Sequence, residues 1–451
     1  MLSEVSVAVF QQSHKFKRTS YIQGNEAKKM SSQLSGISKT IAAIVLVIII
    51  VVAGVLVYVF YASTLPKPTL TVYALWGGSE RANFLQVLGN FTENTGINVT
   101  YVEFTTEDLL ISVPLQLQSP PYDVDVIIAP WPYWILDNSP YLTTVNDVVT
   151  ESEFPLNIIS PVKDEQGDLW AAPFKLSGKP GFWYRTSFFA DNGLSVPTTY
   201  EEFKNTLLPA IQAISGVEEA IASGDTVGWP LSDTTEGFIL GLGGAQLQLD
   251  LEAGPSVVNW TDAEVVSVFE ELTGLLEDGY FSTPAEWEPQ IAKLWAGQYG
   301  LYWQGSFITT LPEVLDVTDL DFFGFPGTDG VVGAVDYAVV TKETPHVNEA
   351  KQLVKYLAGA DAQEIMVGQG GFLATNTGVP SSAYTEIDKK VVDFMGQSGI
   401  TIVPDLDDTI GGQWQTTFWD QLKLLWTDPS TTTMNGVLDA LEAAAIQQES
   451  T

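Results

Sequence analysis

The sequence predicts an α/β fold large enough for two lobes, preceded by one transmembrane helix. Three observations carry this expectation. From Leu70 onward, short apolar runs of strand type alternate with segments of helical spacing. The chain has 451 residues with 45% hydrophobic content, enough for more than one compact unit. Finally, Ile41–Phe60 (IAAIVLVIIIVVAGVLVYVF) is an uninterrupted apolar run of 20 residues across which the charge changes sign.

Residues 1–40 have few large apolar residues and no sustained periodicity, and read as a cytoplasmic leader. The apolar run is long enough to cross a hydrocarbon core of about 30 Å as a helix. Residues 41–61 are therefore read as the anchor, with Tyr58 and Tyr61 where an aromatic belt would lie. Before Tyr61 there are six basic residues (Lys15, Lys17, Arg18, Lys28, Lys29 and Lys39) against Glu4 and Glu26. That bias puts the N-terminus inside and the rest of the chain outside. Residues 62–69, with Thr64–Thr69 (TLPKPT), form a short stiff linker.

The α/β pattern follows. Leu70–Leu75 reads as a strand, Trp76-Gly77-Gly78-Ser79 as a turn, and the next segment as a helix with Phe84, Leu88 and Phe91 on one face, ended by Gly96. Ile97–Phe104 alternates as a second strand. Val124–Ala129 is a continuous apolar run suited to a strand buried on both faces, so the sheet is expected to be mainly parallel. Leu169–Pro173 and Gly181–Phe189 read as strands, Asn192-Gly193 as a turn, and Thr199 with Glu202 as a capping box that starts a helix at about Tyr200. Glu201–Ile221 and Asp262–Glu277 have helical spacing, as do segments around Thr416–Trp426 and Asn435–Ile446.

Composition removes whole classes of chemistry. With no cysteine there are no disulfides, thiolate metal sites or cysteine nucleophiles, and only His14 and His346 are present for imidazole chemistry. From Tyr61 onward, 14 basic residues face 53 acidic ones. A polyanion of that size repels nucleic acid and anionic lipid, so neither is expected as a ligand. It also suggests an acidic or saline exterior that relieves the self-repulsion. There is no Walker motif and no Gly-x-Ser-x-Gly elbow. Asp405-Leu406-Asp407-Asp408 lacks the glycine and terminal glutamate of a calcium loop and reads as a charged turn. No metal or cofactor is expected.

The segment Gly167–Phe203 (GDLWAAPFKLSGKPGFWYRTSFFADNGLSVPTTYEEF) carries the most specific signal. Its order of Gly-acid-aromatic-Ala-Pro, aromatic-Tyr-basic, Asn-Gly-Leu and Pro-Thr-Thr-aromatic-Glu-Glu-Phe resembles the extracellular sugar-binding proteins of ABC importers, the maltose-binding-protein-like family. Val227-Gly228-Trp229-Pro230-Leu231, Gly241–Leu247, Leu294–Leu311, Phe322–Pro326, Gly333–Val340, Glu349–Leu357 and Gly370-Gly371-Phe372 match further family segments in order, so the resemblance spans about residues 70–446. It implies a two-lobe periplasmic-binding-protein-like fold with a ligand cleft between lobes. Lobe 1 would be residues 70–176 and 327–375, and lobe 2 residues 177–326 and 376–446. Three crossings between lobes would allow hinge closure. Leu34-Ser35-Gly36-Ile37-Ser38-Lys39-Thr40 resembles the class III, pilin-like signals of some archaeal sugar-binding proteins, with Ser35 where a basic residue usually stands and cleavage expected after Gly36.

A sugar offers hydroxyls to polar groups and C–H faces to aromatic rings. On the first lobe the resemblance points to Trp76, Ser79, Glu80 and Arg81 after the first strand, to Trp131 after Ala129-Pro130, and to Asp336 and Tyr337. On the second it points to Trp229, Trp303 and Trp419 as stacking aromatics. Lys175 and Ser177 stand near where the family often has an acidic contact, whereas Phe182 and Tyr184 read as core. The resulting expectation is a non-enzymatic, membrane-tethered receptor that binds a carbohydrate and presents it to ABC permease subunits. A peptide-binding receptor, a surface glycosidase and a pilin-like structural subunit are the alternatives, and the aromatic content favours sugar.

Overall fold

The computed structural model describes residues 44–54, 67–225 and 228–450. Residues 44–54 are helical with exposed side chains. The ends of the expected anchor, the leader with its cleavage motif, and most of the linker lie outside the described residues. Among the described residues no helix is long and apolar enough to cross a membrane. Pro68–Thr451 forms one compact unit.

Among the described residues, fourteen strands build that unit. They are β1 (Thr69–Ala74), β2 (Asn98–Glu103), β3 (Val126–Ala129), β4 (Leu142–Thr143), β5 (Ala172–Lys179), β6 (Gly181–Arg185), β7 (Glu219–Ala222), β8 (Gly224–Asp225), β9 (Ala285–Glu286), β10 (Tyr299–Gln304), β11 (Leu320–Phe323), β12 (Gly330–Thr341), β13 (Leu373–Ala374) and β14 (Thr401–Pro404). Eight of them form one sheet in the order β13-β5-β12-β3-β1-β2, with β14 and β4 pairing along β12. A second sheet runs β11-β6-β10-β7, and β8 pairs with β9. Each larger sheet is the spine of a lobe, with helices covering its apolar residues.

The first strand–helix–strand unit follows local chemistry. β1 buries Leu70, Val72 and Ala74 and pairs in parallel with β2 and β3. Between β1 and β2, the helix Gly78–Thr95 turns Phe84, Val87, Leu88 and Phe91 inward. It stops where Gly96 takes φ 73°, its N–H bonding back to the Thr92 carbonyl. The large sheet as a whole is mixed, not mainly parallel. β12 runs antiparallel to β3 and β5 because the chain re-enters this sheet from the other lobe.

The chain changes lobes three times, and the crossings lie close together. The first is Pro180 alone, between β5 and β6. Gly181 there takes φ +143°, and a Cβ would lie 2.1 Å from the Phe323 carbonyl oxygen, so only glycine lets the two crossing segments touch. The second crossing leads from β11 to β12. The third follows β14, whose Pro404 pairs with Gly333.

Several sequence expectations shift here. Leu169–Pro173 is not itself a strand: β5 starts at Ala172 and runs to Lys179. Gly181–Phe189 splits after Arg185 into a helix, Thr186–Asp191. The Thr199 cap forms as expected, its side chain accepting from Glu202 N, but that helical stretch ends at Gln212, and Glu219–Ala222 is β7. Residues 376–404 do not join the second lobe. The helix Glu386–Met395 buries Ile387, Val391 and Met395 in the cluster around the large sheet, and β14 extends that sheet, so the last crossing comes after Pro404.

Candidate functional site

The carboxyl ends of β1 and β3, the β5–β12 pair and the facing helices of the second lobe enclose a cavity of about 650 Å³. This is the crevice expected of an open α/β sheet, and its size suits a small organic ligand. Beside it the lobes touch directly. Tyr133, just after β3, donates from its hydroxyl to Gln415 Oε1 at 3.1 Å. The ring is accommodated because Gly411, at φ +66°, has no Cβ to meet it.

On the first lobe, Trp76 leaves β1 with its carbonyl held by the Tyr101 hydroxyl at 2.6 Å. Its ring packs edge-on against Phe84 at 4.9 Å. Ser79 and Glu80 open the next helix and also line the cavity. Lys175 on β5 lies opposite Asp336 on β12, where an irregularity in the register leaves Phe174 unpaired. Its Nζ is 3.2 Å from Glu80 Oε1 and 3.2 Å from Asp336 Oδ2, and 4.8 Å from the centroid of the Trp76 ring. Burial opposes the lysine charge, but Asp336 and Glu80 hold its pKa above the ordinary value. Trp131 completes this wall at the start of the helix Pro132–Asp137.

On the second lobe, Gly228 (φ +94°) starts the helix Trp229–Phe238 against the Trp419 ring, which a Cβ at that position would strike. Trp229, Trp287 and Phe307 meet edge-to-face, with centroids 5.2, 5.9 and 5.6 Å apart, and all three are partly open to the cavity. Trp419 donates from Nε1 to Asp407 Oδ2 at 2.6 Å.

A buried charge cluster lies where the crossings converge. Lys179, the last residue of β5, bonds to both Asp233 and Asp405. Glu236, Asp407 and Asp408 stand around them. Glu236 accepts from Leu406 N and Gln248 Nε2, and Asp407 from the Ser232 hydroxyl. One lysine cannot neutralise five carboxyls out of water, so burial and mutual repulsion push protons onto Asp233, Glu236, Asp407 and Asp408. Burial raises Asp233 to about 7 despite Lys179, while burial with Asp405 nearby raises Asp407 to about 8. Glu236 and Asp408 are driven up by the same two causes. These steps interact, so they belong to the cluster as a whole.

Of the sequence-derived site residues, Trp76, Ser79, Glu80, Trp131, Trp229, Asp336 and Trp419 line the cavity, as do Lys175 and Ser177. Arg81, Trp303 and Tyr337 do not. Arg81 is rotated about 100° from Glu80 around the helix and points to Glu103, 3.7 Å away. Tyr337 follows Asp336 on a strand, so it faces the other side of the sheet, where its hydroxyl donates to the Ile158 carbonyl at 2.9 Å. Trp303 fills the second lobe's core between Phe182 and Gly237.

Trp287, Phe307, Asp233 and Lys179 also line the cavity without standing out in the sequence, and Asp405–Asp408 is not the solvated charged turn that its composition suggests. Asp405 and Asp407 are in fact 4% and 1% exposed, and Asp405, Asp407 and Asp408 all line the cavity floor. The available signal was Trp229-Pro230-Leu231-Ser232-Asp233, an acid one helical turn beyond a cleft aromatic.

Comparison with known proteins agrees with this architecture. The bacterial extracellular solute-binding protein family matches residues 77–364. An ABC transporter extracellular-binding protein of Pyrococcus horikoshii is 41% identical over 366 residues, covering 80% of this chain and 85% of the relative. The chain belongs to the bacterial extracellular solute-binding protein family. Another solute-binding protein similar to it is the alpha-glucosides-binding periplasmic protein AglE of Rhizobium meliloti, 28% identical, with 70% of this chain and 74% of AglE covered. Among solved structures, the bacterial solute receptor AcbH, which has an exclusive substrate preference for β-D-galactopyranose, superposes with a TM-score of 0.76 at 21% identity, covering 85% of this chain and 99% of AcbH. The likeness establishes the two-lobe periplasmic-binding-protein-like fold.

Proposed function

We propose that this solute-binding protein captures an extracellular mono- or oligosaccharide between its lobes and delivers it to the permease of an ABC importer. The observation that carries the reading is the cavity wall: Trp76, Trp131, Trp229, Trp287, Phe307 and Trp419 converge from both lobes, interleaved with carboxylates. Rings provide platforms for the C–H faces of a sugar, and carboxylates accept from its hydroxyls. The alpha-glucosides for which AglE is named and the β-D-galactopyranose preference described for AcbH support the same class of ligand.

The family binds substrates without converting them, and the reading assigns no catalytic residue. Residues 41–61 act as the anchor, with the acidic ectodomain outside the cell. The part of that run described here, residues 44–54, is helical and apolar, which supports the assignment. Trp76, Ser79, Glu80, Trp131, Trp229, Asp336 and Trp419 are the contacts to which we assign the ligand.

A thermal-shift screen against neutral sugars and short peptides, with the sugars recovered by chromatography, tests this function. A saturable rise in melting temperature with sugar recovered intact is expected. A response only to peptides, or cleavage of the sugar, would refute it.

A further inference from the structure

Ten carboxyl side chains line the cavity, against two lysines. Both lysines are already committed: Lys175 is held by Glu80 and Asp336, and Lys179 by Asp233 and Asp405. Among the described lining residues, then, no cation is left to meet an anionic ligand. The reverse is true of acceptors. Asp233 Oδ2 and Asp405 Oδ1 have no hydrogen-bond partner, although Asp233 and Asp405 are 1% and 4% exposed. Unused lone pairs at that depth are costly unless a donor arrives.

We propose that the cleft discriminates by ligand charge: it prefers amine-bearing sugars over their neutral parents, rejects sugars carrying carboxylate, sulfate or phosphate, and docks the ammonium group at Asp233 and Asp405. This rests on the sugar reading above and narrows it to a ligand class. The aromatic wall holds the ring, as it would for any sugar. At the cavity floor an ammonium offers three N–H donors to oxygens that now have none, and its positive charge offsets the cluster's excess of carboxyls. Burial already makes protons bind here at neutral pH, which is the same demand for positive charge met by a smaller cation. An anionic sugar would bring its charge beside Asp233, Asp405, Asp407 and Asp408 with no lysine free to pair it, and like charges at such range are strongly disfavoured.

The test is calorimetric titration of the full chain with two matched series: galactose, galactosamine and galacturonate, and glucose, glucosamine and glucuronate. In at least one series the amine should bind about tenfold or more tighter than its neutral parent, as charge-assisted hydrogen bonds allow. The uronates should give no saturable heat. Asp233→Asn should bring the amine-to-neutral ratio close to one. Glu80→Gln combined with Asp336→Asn, which releases Lys175, should admit the matching uronate.

A uronate bound as tightly as its neutral parent by the natural chain overturns the proposal. So does an amine with no advantage, or a calcium-chloride control that stabilises the chain and abolishes the amine preference. If none of the six sugars binds, the charge proposal falls. The sugar reading itself falls only if neutral oligosaccharides fail as well.

Discussion

Replacing Lys179 by methionine is the sharpest test of how the lobe junction is held together. The side chain is 7% exposed and bonds to Asp233 and Asp405 from the last position of β5, with Glu236 and Asp408 also adding to its stabilisation. Removing one partner of a buried pair costs about 3–5 kcal/mol when the remaining charges stay ionised. That condition depends on pH. Asp233 and Asp407 have folded-state values of about 7 and 8 against an ordinary 3.8. A carboxyl with a raised folded value binds more protons folded than unfolded, so its contribution to stability is greatest below about pH 4. The contribution is lost as pH rises to the folded value. At pH 5 the cluster can stay neutral by holding protons, and losing Lys179 should then cost little. At pH 8 the protons that replace the Lys179 charge are harder to bind, so the loss is larger, up to about 4 kcal/mol, or roughly 5 °C for a unit of this size. Thermal and urea unfolding of both proteins at pH 5 and 8 reads the difference directly. An equal loss at the two pH values, or none at pH 8, would show that the cluster is not balanced as described.

Other substitutions separate binding from packing. Trp229→Ala and Trp419→Ala should weaken sugar binding by about tenfold, while Trp303→Ala should instead lower stability by about 3–5 kcal/mol because it empties a core site. Fluorescence titration paired with melting curves tells the two effects apart. Gly181→Ala, forced against the Phe323 carbonyl at φ +143°, should destabilise the first crossing by more than about 1 kcal/mol, measurable by urea unfolding. For the acidic ectodomain, the melting temperature should rise on going from pH 7 to pH 5 and on adding salt. A maximum at neutral pH and low salt would contradict the expected acidic or saline exterior.

What the sequence revealed, and what it hid, follows from the range of the interactions involved. The helix ending at Gly96, the Thr199 cap and the buried run of β3 are set by neighbours a few residues away, and all three were legible. The break after Gln212 was not, because Glu219–Ala222 becomes a strand only by pairing with β10, about eighty residues later. The placement of residues 376–404 likewise depends on β12 offering a free edge to β14. Cleft aromatics at strand and helix ends could be picked out singly. The carboxyl cluster could not, since Lys179, Asp233 and Asp405 are far apart in sequence and an acidic run in an acidic chain looks like a solvated turn. Trp303 and Tyr337 show the converse: an aromatic at the right position along a strand can still belong to its covered face.

The measurement closest to the central claim is a tryptophan-fluorescence titration of the full chain with neutral mono- and oligosaccharides, run in parallel on Trp229→Ala. The account predicts a saturable change with at least one sugar, about tenfold weaker in the variant. Saturable binding of a sugar that is indifferent to Trp229, or no saturable response to any sugar, would contradict it.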